Sequence, residues 1–253
     1  TLKTLKTLKT LKTLKTLKTP KTPKTPKTPK TPKTPKTPKT PKTPKTLLML
    51  VLSVDTSLPL FSVALVGDEG VLAAYAAVGK ASRNEKLLPA IDWMLAESDV
   101  AKESLDLLCV TRGPGSFTGV RVGLATIQGL AFAIERPVCA LSTHEAALGD
   151  DATGAVLVTS DAGRGELYAS GFRDGKEDLA PLLAGPDEAA TLRERYARNV
   201  HLEELIRREN LALLAARRAL ALDAGARAAR AGATPIYVRL AEAEVKLLRK
   251  DHE

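Results

Sequence analysis

The hydrophobic and polar positions divide the chain into three stretches of different character. Residues 1–45 repeat with a period of three, six TLK triplets followed by nine TPK triplets. That period fits neither a helix at 3.6 nor a strand at 2, so no apolar face can form. Proline at every third position of the second block removes amide donors and favours extended, polyproline-like chain. A disordered tail is predicted over 1–46. Residues 47–54 are nearly continuously apolar and end at Asp55, the signature of a buried central strand. Residues 61–66 and 71–77 read as strands across the turn Gly67-Asp68-Glu69-Gly70.

A helix is predicted over about 84–97, with Leu87, Leu88, Ile91, Met94 and Leu95 on one face. A strand over 105–110, a loop over 111–117, a helix over 118–134 and a strand over 137–141 complete the order βββαβαβ. That order implies an α/β fold, a mixed sheet with helices packed on it, within a first lobe spanning 47–150. The remainder, 151–253, is less regular. Strands are predicted over 155–160 and 166–172 around Asp161-Ala162-Gly163-Arg164-Gly165. Long helices follow at 187–196 and 202–231, then a short strand at 235–238 and a terminal helix from about Ala241.

Composition first suggests a nucleic-acid binder, because the formal net charge is +9. The sign belongs to the tail. Fifteen of the 38 basic residues lie in the repeat without one acid, leaving 23 basic against 29 acidic side chains, a net of −6. Such a balance argues against a broad phosphate-binding surface on the folded part. The lysine tail itself can touch RNA only in a salt-sensitive, sequence-blind way, and it carries no aromatic residue for base stacking. Cys109 and Cys139 lie in apolar runs and read as two buried, reduced thiols of a cytoplasmic protein. No run approaches the roughly 18–20 apolar residues of a membrane span, and no secretory signal is evident. A cytoplasmic protein without membrane contact is expected.

Candidate chemistry concentrates in Thr111-Arg-Gly-Pro-Gly-Ser-Phe-Thr-Gly-Val-Arg-Val-Gly123, between a buried strand and a helix. Amides at a helix start can hold an anion, and Ser116 or Thr118 is able to supply the cap oxygen. The spacing is neither a phosphate-loop GxxxxGK[ST] nor GxGxxG, so Gly113 and Gly115 serve a structural turn at least as well as a nucleotide. Asp55, at the end of the first strand, and Asp161, at the end of another, could face each other across a cleft and suit a metal–nucleotide complex. A capped turn at Asp55 fits equally well. His144, His201 and His252 lie far apart in sequence, with no HxxxH, HExxH or CxxC, and GxSxG is absent. No metal site and no catalytic residue is therefore assigned, and His144 reads as a helix-start residue. Trp93 falls almost opposite the Leu87/Ile91/Leu95 stripe, beside Lys86, Ala90 and Glu97. That placement marks either an interface or a tryptophan covered by a neighbouring loop. Gly119 and Gly123, then Ala125, Gly129 and Ala133, recur at i, i+4 and let another helix or the sheet come close.

These strings resemble the TsaB (YeaZ-like) family of the actin-like ATPase and sugar-kinase superfamily. The resemblance rests on LSVDTSLPLFSVAL from Leu52, EKLLPAID from Glu85, RGPGSFTGVRVGLATIQGLA from Arg112, PVCALST from Pro137, DAGRGELY from Asp161 and PIYVR from Pro235. It implies two ribonuclease-H-like lobes and a non-catalytic dimerisation subunit for threonylcarbamoyl transfer to N6 of adenosine 37 in tRNA. A TsaD-type catalytic paralogue, a TsaE-type ATPase, tRNA reached through the complex, and a homodimer are the implied partners. No cofactor is required on this reading, although nucleotide binding stays open. The paralogue's HxxxH metal positions correspond here to Thr143 and Ala147. The two first-lobe helices are the implied interface, with Ala90, Trp93, Gly119 and Gly123 as candidates. Relatives carry a strand ending in a GxG-like turn where residues 196–202, YARNVHL, run into helical sequence, so a reduced second lobe is implied. The alternative, from the enzyme class, is a nucleotide-dependent kinase or ATPase using Asp55, the 113–119 loop and Asp161. A metalloprotease-like activity is a further rival.

Overall fold

The computed structural model describes residues 49–78 and 83–239. The tail and the terminal helix expected from Ala241 lie outside them.

Strand β1 (Leu50–Asp55) is buried along all six residues. It pairs antiparallel with β2 (Leu60–Gly67), which turns into β3 (Gly70–Val78). Helix α1 (Arg83–Glu97) leads through a short 3₁₀ turn to β4 (Leu107–Thr111). Helix α2 (Phe117–Ile134) then leads to β5 (Val138–Leu141), and β1, β4 and β5 run parallel. The sheet order is β3-β2-β1-β4-β5. Because side chains alternate along a strand, β1 feeds two cores. Leu50, Leu52 and Val54 pack with Leu87, Ile91 and Met94 of α1 and with Val120, Leu124 and Ile127 of α2. Val51 points to the opposite core with Ala64, Leu107 and Cys109. A strand covered on both faces is apolar at nearly every position, which is why 50–54 shows no alternation.

The second half opens with the one-turn helix α3 (Thr143–Ala146) and builds a four-stranded sheet. Strands β6 (Ala155–Gly163), β7 (Glu166–Arg173) and β8 (Lys176–Ala184) are followed by α4 (Pro186–Arg195) and β9 (Arg198–His201). The order is β8-β7-β6-β9, with β9 parallel to β6. Helices α5 (Leu202–Leu205), α6 (Leu211–Ala221) and α7 (Ala224–Ala228) complete it. Helix α6 joins the two sheets. Leu211, Ala212, Ala215 and Ala219 share one core with Val51 and Cys109 of the first sheet and with Val156, Val158 and Phe172 of the second.

Four local readings are corrected. The segment 196–202 contains a strand: β9 holds its register on β6 from Val156↔Arg198 to Thr159↔His201. It is a polar edge strand, so its pairing leaves no apolar alternation to read. Strand β8, KEDLAPLLA, has no strand signature in its sequence, because its residues have low strand propensity and Pro181 is tolerated only at an edge. The helical stretch expected over 202–231 breaks into α5, α6 and α7. Asn210 and Asp223 cap the later two by accepting the Leu213 amide at 2.9 Å and the Ala226 amide at 2.7 Å. Residues 235–238 form no strand, although the Ile236 amide donates to the Arg112 carbonyl at 2.7 Å.

Candidate functional site

Asp55 and Thr111 end neighbouring strands, and Asp55 holds the loop between β4 and α2 in place. Its Oδ1 accepts the Thr111 hydroxyl at 2.5 Å, the Ser57 hydroxyl at 2.5 Å and the Ser57 amide at 3.1 Å. The loop then folds onto its own chain. The Ser116 amide donates to the Ser57 carbonyl at 2.7 Å, and the Thr143 amide donates to the Gly113 carbonyl at 2.7 Å. Gly113 has φ +98°, and a Cβ there would lie 2.6 Å from the Ile236 carbonyl oxygen, so no larger residue fits. At the start of α2 the Ser116 hydroxyl accepts the Gly119 amide at 3.2 Å, while the Val120 amide donates to the Ser116 carbonyl at 2.9 Å. The amides of Ser116, Gly119 and Val120 are thus engaged within the chain and are not offered to a phosphate. Gly113, Gly115 and Asp55 build a braced turn.

Gly119 and Gly123, expected on a partner face, are buried against the chain's own sheet. The Thr56 hydroxyl donates to the Gly119 carbonyl at 2.7 Å, and a Cβ on Gly123 would collide with the Thr56 hydroxyl. Gly119 and Gly123 thus admit the sheet, not another helix. The small residues that do stay exposed on α2 are Ala125, Gly129 and Ala133.

Helices α1 and α2 share one face of the first sheet, and each exposes large apolar side chains on its outer side. Trp93 is 55% exposed and Leu88 49%, while Phe132 of α2 is 88% exposed. Trp93 is therefore not covered by a neighbouring loop within the described residues. It meets Tyr75 of β3 edge-on, with ring centroids 6.4 Å apart. Tyr75, Lys86, Pro89, Ala90 and Trp93 line a groove of about 330 Å³. A second groove of about 420 Å³ runs along α2, lined by Phe117, Thr118, Arg121, Val122, Ala125 and Thr126. Helix α2 is also long and apolar enough to cross a membrane by length and composition, against the sequence expectation. Its buried line, including Val120, Leu124 and Ile127, is docked on the sheet.

The residues of the second half are placed differently. Asp161 is exposed; its carboxylate accepts the Gly163 amide at 2.7 Å, and its own amide donates to Glu203. The groove beside it, about 270 Å³, is lined by Glu166, Leu167, Gly185, Pro186 and Arg193 among others, and not by Asp55. Nothing in these contacts brings the two carboxylates together.

His144 is the second residue of α3, as its helix-start reading implied, and it is sealed. Its Nδ1 lies 2.7 Å from the Ser170 hydroxyl and its Nε2 2.9 Å from the Ser160 hydroxyl. Burial pushes its pKa down to about 3. Both ring nitrogens are occupied, so it is not poised as a base. Thr143 is buried, Ala147 is half-buried, and neither brings an imidazole or thiolate. Among the described residues no three His, Cys, Asp or Glu side chains gather into a metal site. Cys109 and Cys139 are buried free thiols at paired positions of β4 and β5.

Sequence reasoning missed Tyr75, Phe117, Arg121 and Tyr237. Arg121 falls one helical turn after Phe117 within the RGPGSFTGVRVG string, and Tyr237 lies in the PIYVR string, but nothing in the sequence ties the two strings together across 116 positions.

The family model described as TsaD, tRNA N6-adenosine threonylcarbamoyltransferase, matches residues 77–229. The tRNA threonylcarbamoyladenosine biosynthesis protein TsaB of Bacillus subtilis (strain 168) is 33% identical over 146 residues, 57% of this chain and 63% of that protein. The protein of the same name from Escherichia coli (strain K12) is 35% identical over 149 residues, again 57% and 63%. The chain thus spans just under two thirds of the length of these curated relatives. A Pseudomonas aeruginosa structure, described as an uncharacterized protein with similarity to peptidase YEAZ, superposes with a TM-score of 0.54 and 27% identity. That match covers 76% of this chain and all of the other. A second P. aeruginosa structure, YeaZ, gives 0.51 and 26%, over 75% and 99%. With two sheets flanked by helices and these matches, the chain belongs to the tRNA N6-adenosine threonylcarbamoyltransferase (TsaD) family, among its TsaB/YeaZ-like members with the actin-like fold.

Proposed function

We propose that this chain is a non-catalytic partner subunit in threonylcarbamoyladenosine formation on tRNA, docking a TsaD-type catalytic relative through the outer faces of α1 and α2. The observation that carries the reading is the exposure of Trp93 and Leu88 on α1 and of Phe132 on α2, with Trp93 lining a groove shared with Tyr75. Apolar groups of this size on adjacent helices are stabilised by a partner's cover, and buried tryptophan is a frequent energetic centre of an interface. The donor set supports the division of labour. Thr143 and Ala147 stand where the catalytic paralogues carry the imidazoles of a metal site, and His144 beside them is locked between two serines.

In this reading the subunit works in the cytoplasm, reaches tRNA only through the complex, and is joined there by a TsaE-type ATPase. It requires no metal or nucleotide of its own, so ATP turnover by the isolated chain that Asp55→Ala abolishes would favour the kinase alternative. The direct test is co-purification of the full chain with its TsaD-type relative, comparing wild type with Trp93→Glu. Burying an unpaired carboxylate in an apolar contact costs several kcal/mol, on the order of a hundredfold in affinity or more. Pairing should therefore be lost in the variant while its far-ultraviolet circular dichroism stays unchanged. Undiminished pairing would place the docking face elsewhere.

A further inference from the structure

Within the groove along α2, Arg121 is held in one orientation, and its terminal nitrogens have no hydrogen-bond partner among the described residues. Its guanidinium carbon lies 3.8 Å from the centroid of the Phe117 ring and 5.5 Å from that of Tyr237. The two rings are 4.9 Å apart. Its Nε donates to the Tyr237 hydroxyl at 2.7 Å, and among the described residues this is its one hydrogen bond. Two aromatic rings and one hydroxyl thus fix the stem and plane of the side chain, while the fork formed by Nη1 and Nη2 has no partner there. Arg121 is also the only charged residue of α2. The other groove-lining side chains, Phe117, Thr118, Val122, Ala125 and Thr126, supply two hydroxyls and apolar surface but no acid.

A partner helix laid along the exposed Ala125, Gly129 and Ala133 covers this groove and takes Arg121 out of water. Burying a guanidinium without a counter-charge is costly enough to prevent docking, so the covering surface has to bring an anion. The planar fork matches a carboxylate with two parallel hydrogen bonds, a geometry an ammonium cannot reproduce. Clamping by Phe117 and Tyr237 removes the rotamer freedom that arginine ordinarily loses on binding. We infer that Arg121 is the charge anchor of the docking face, and that it receives an aspartate or glutamate side chain from the partner's docking helix. This inference rests on the docking reading above and adds to it the chemistry required of the partner. Tyr237 becomes a positioning residue for the anchor, and through it the segment after α7 helps to shape the interface.

The test is titration calorimetry of the full chain against its TsaD-type relative at two salt concentrations. Arg121→Ala should weaken binding by about tenfold or more and flatten the salt dependence. Arg121→Lys, which keeps the charge and loses the fork, should fall between the variant and wild type. Tyr237→Phe, which keeps the ring and frees Nε, should give a smaller loss. Should Arg121→Ala melt lower than wild type in the free state, Arg121→Gln, whose stem still covers Phe117, carries the same comparison. Wild-type affinity in the Arg121 variants together with loss of pairing in Trp93→Glu would overturn the anchor and leave the docking face standing. Wild-type affinity in all of them would remove the docking reading itself. Inorganic phosphate that binds the free chain through Arg121, while Arg121→Ala pairs normally, would make the groove a free-anion site and overturn the anchor as well.

Discussion

Between pH 7 and pH 5, acidification should destabilise this fold chiefly through His144. Its ring is fully buried between the Ser160 and Ser170 hydroxyls, with a pKa pushed down to about 3 by burial. In the unfolded chain an imidazole titrates near 6.5. The unfolded state therefore takes up a proton at a pH where the folded state does not, so stability falls as pH drops below about 6.5 and levels off near 3. Each unit of separation is worth about 1.4 kcal/mol. From pH 7 to pH 5 the loss should be about 2 kcal/mol, with a ceiling of about 5 kcal/mol near pH 3. That is a large share of the roughly 5–15 kcal/mol that stabilises an ordinary domain. The assay is urea unfolding at pH 7 and pH 5 of wild type and His144→Gln, a neutral side chain that retains a donor and an acceptor. The variant loses stability at both pH values through imperfect packing, but only the slope with pH is read. Carboxylates held below their usual range, such as Asp178 by the Tyr196 hydroxyl, also lose stabilisation on acidification. They act at lower pH and cancel between the two proteins. Wild type should lose about 2 kcal/mol more than the variant between the two pH values. Equal slopes, or a His144 ring resonance that titrates near 6.5 in the folded protein, would refute the reasoning.

Other outcomes follow from the brace around β1 and α2. Gly123→Ala puts a methyl group onto the Thr56 hydroxyl and breaks its bond to Gly119, which should cost about 1–3 kcal/mol and lower the melting temperature. Gly129→Ala, whose methyl meets open space on the same helix, should add about 0.5–1 kcal/mol of stability and raise the melting temperature; a matching loss in both would discard the packing explanation. Thr111→Val withdraws a 2.5 Å donor from the buried Asp55 carboxylate. Denaturant unfolding should show a loss of about 1–3 kcal/mol, and none if the carboxylate is satisfied without it.

Much of the first sheet was legible because its signals are local. The apolar run of β1, the hairpin residues between β2 and β3, and the stripe Leu87, Ile91, Met94 and Leu95 each report their own surroundings within a few residues, whereas Leu88, read on the same face, lies at its margin and is exposed. The same helical arithmetic placed Trp93 away from that stripe, but whether a loop covers it or leaves it exposed was for the fold to decide. Periodicity stops informing where an element is stabilised by pairing and not by burial of an apolar stripe. Strands β8 and β9 are edges, and their amides find β7 and β6 whatever their side chains spell. The small residues of α2 show the same limit: their spacing announced a close approach, but only the fold decided that Gly119 and Gly123 meet the sheet while Ala125 and Gly129 face outward.

By itself the amino-acid sequence determined the element order of the first lobe, the identity of its buried faces and the family to which its strings belong. The tertiary structure alone decided that α6 joins both sheets in one core, that His144 is sealed between Ser160 and Ser170, and that Tyr237 clamps Arg121 from 116 residues away. The physical reason is range. Helix and strand periods are written in neighbouring side chains, whereas a core shared by two sheets, a neutral buried imidazole and a clamped guanidinium exist only after distant segments have closed on one another.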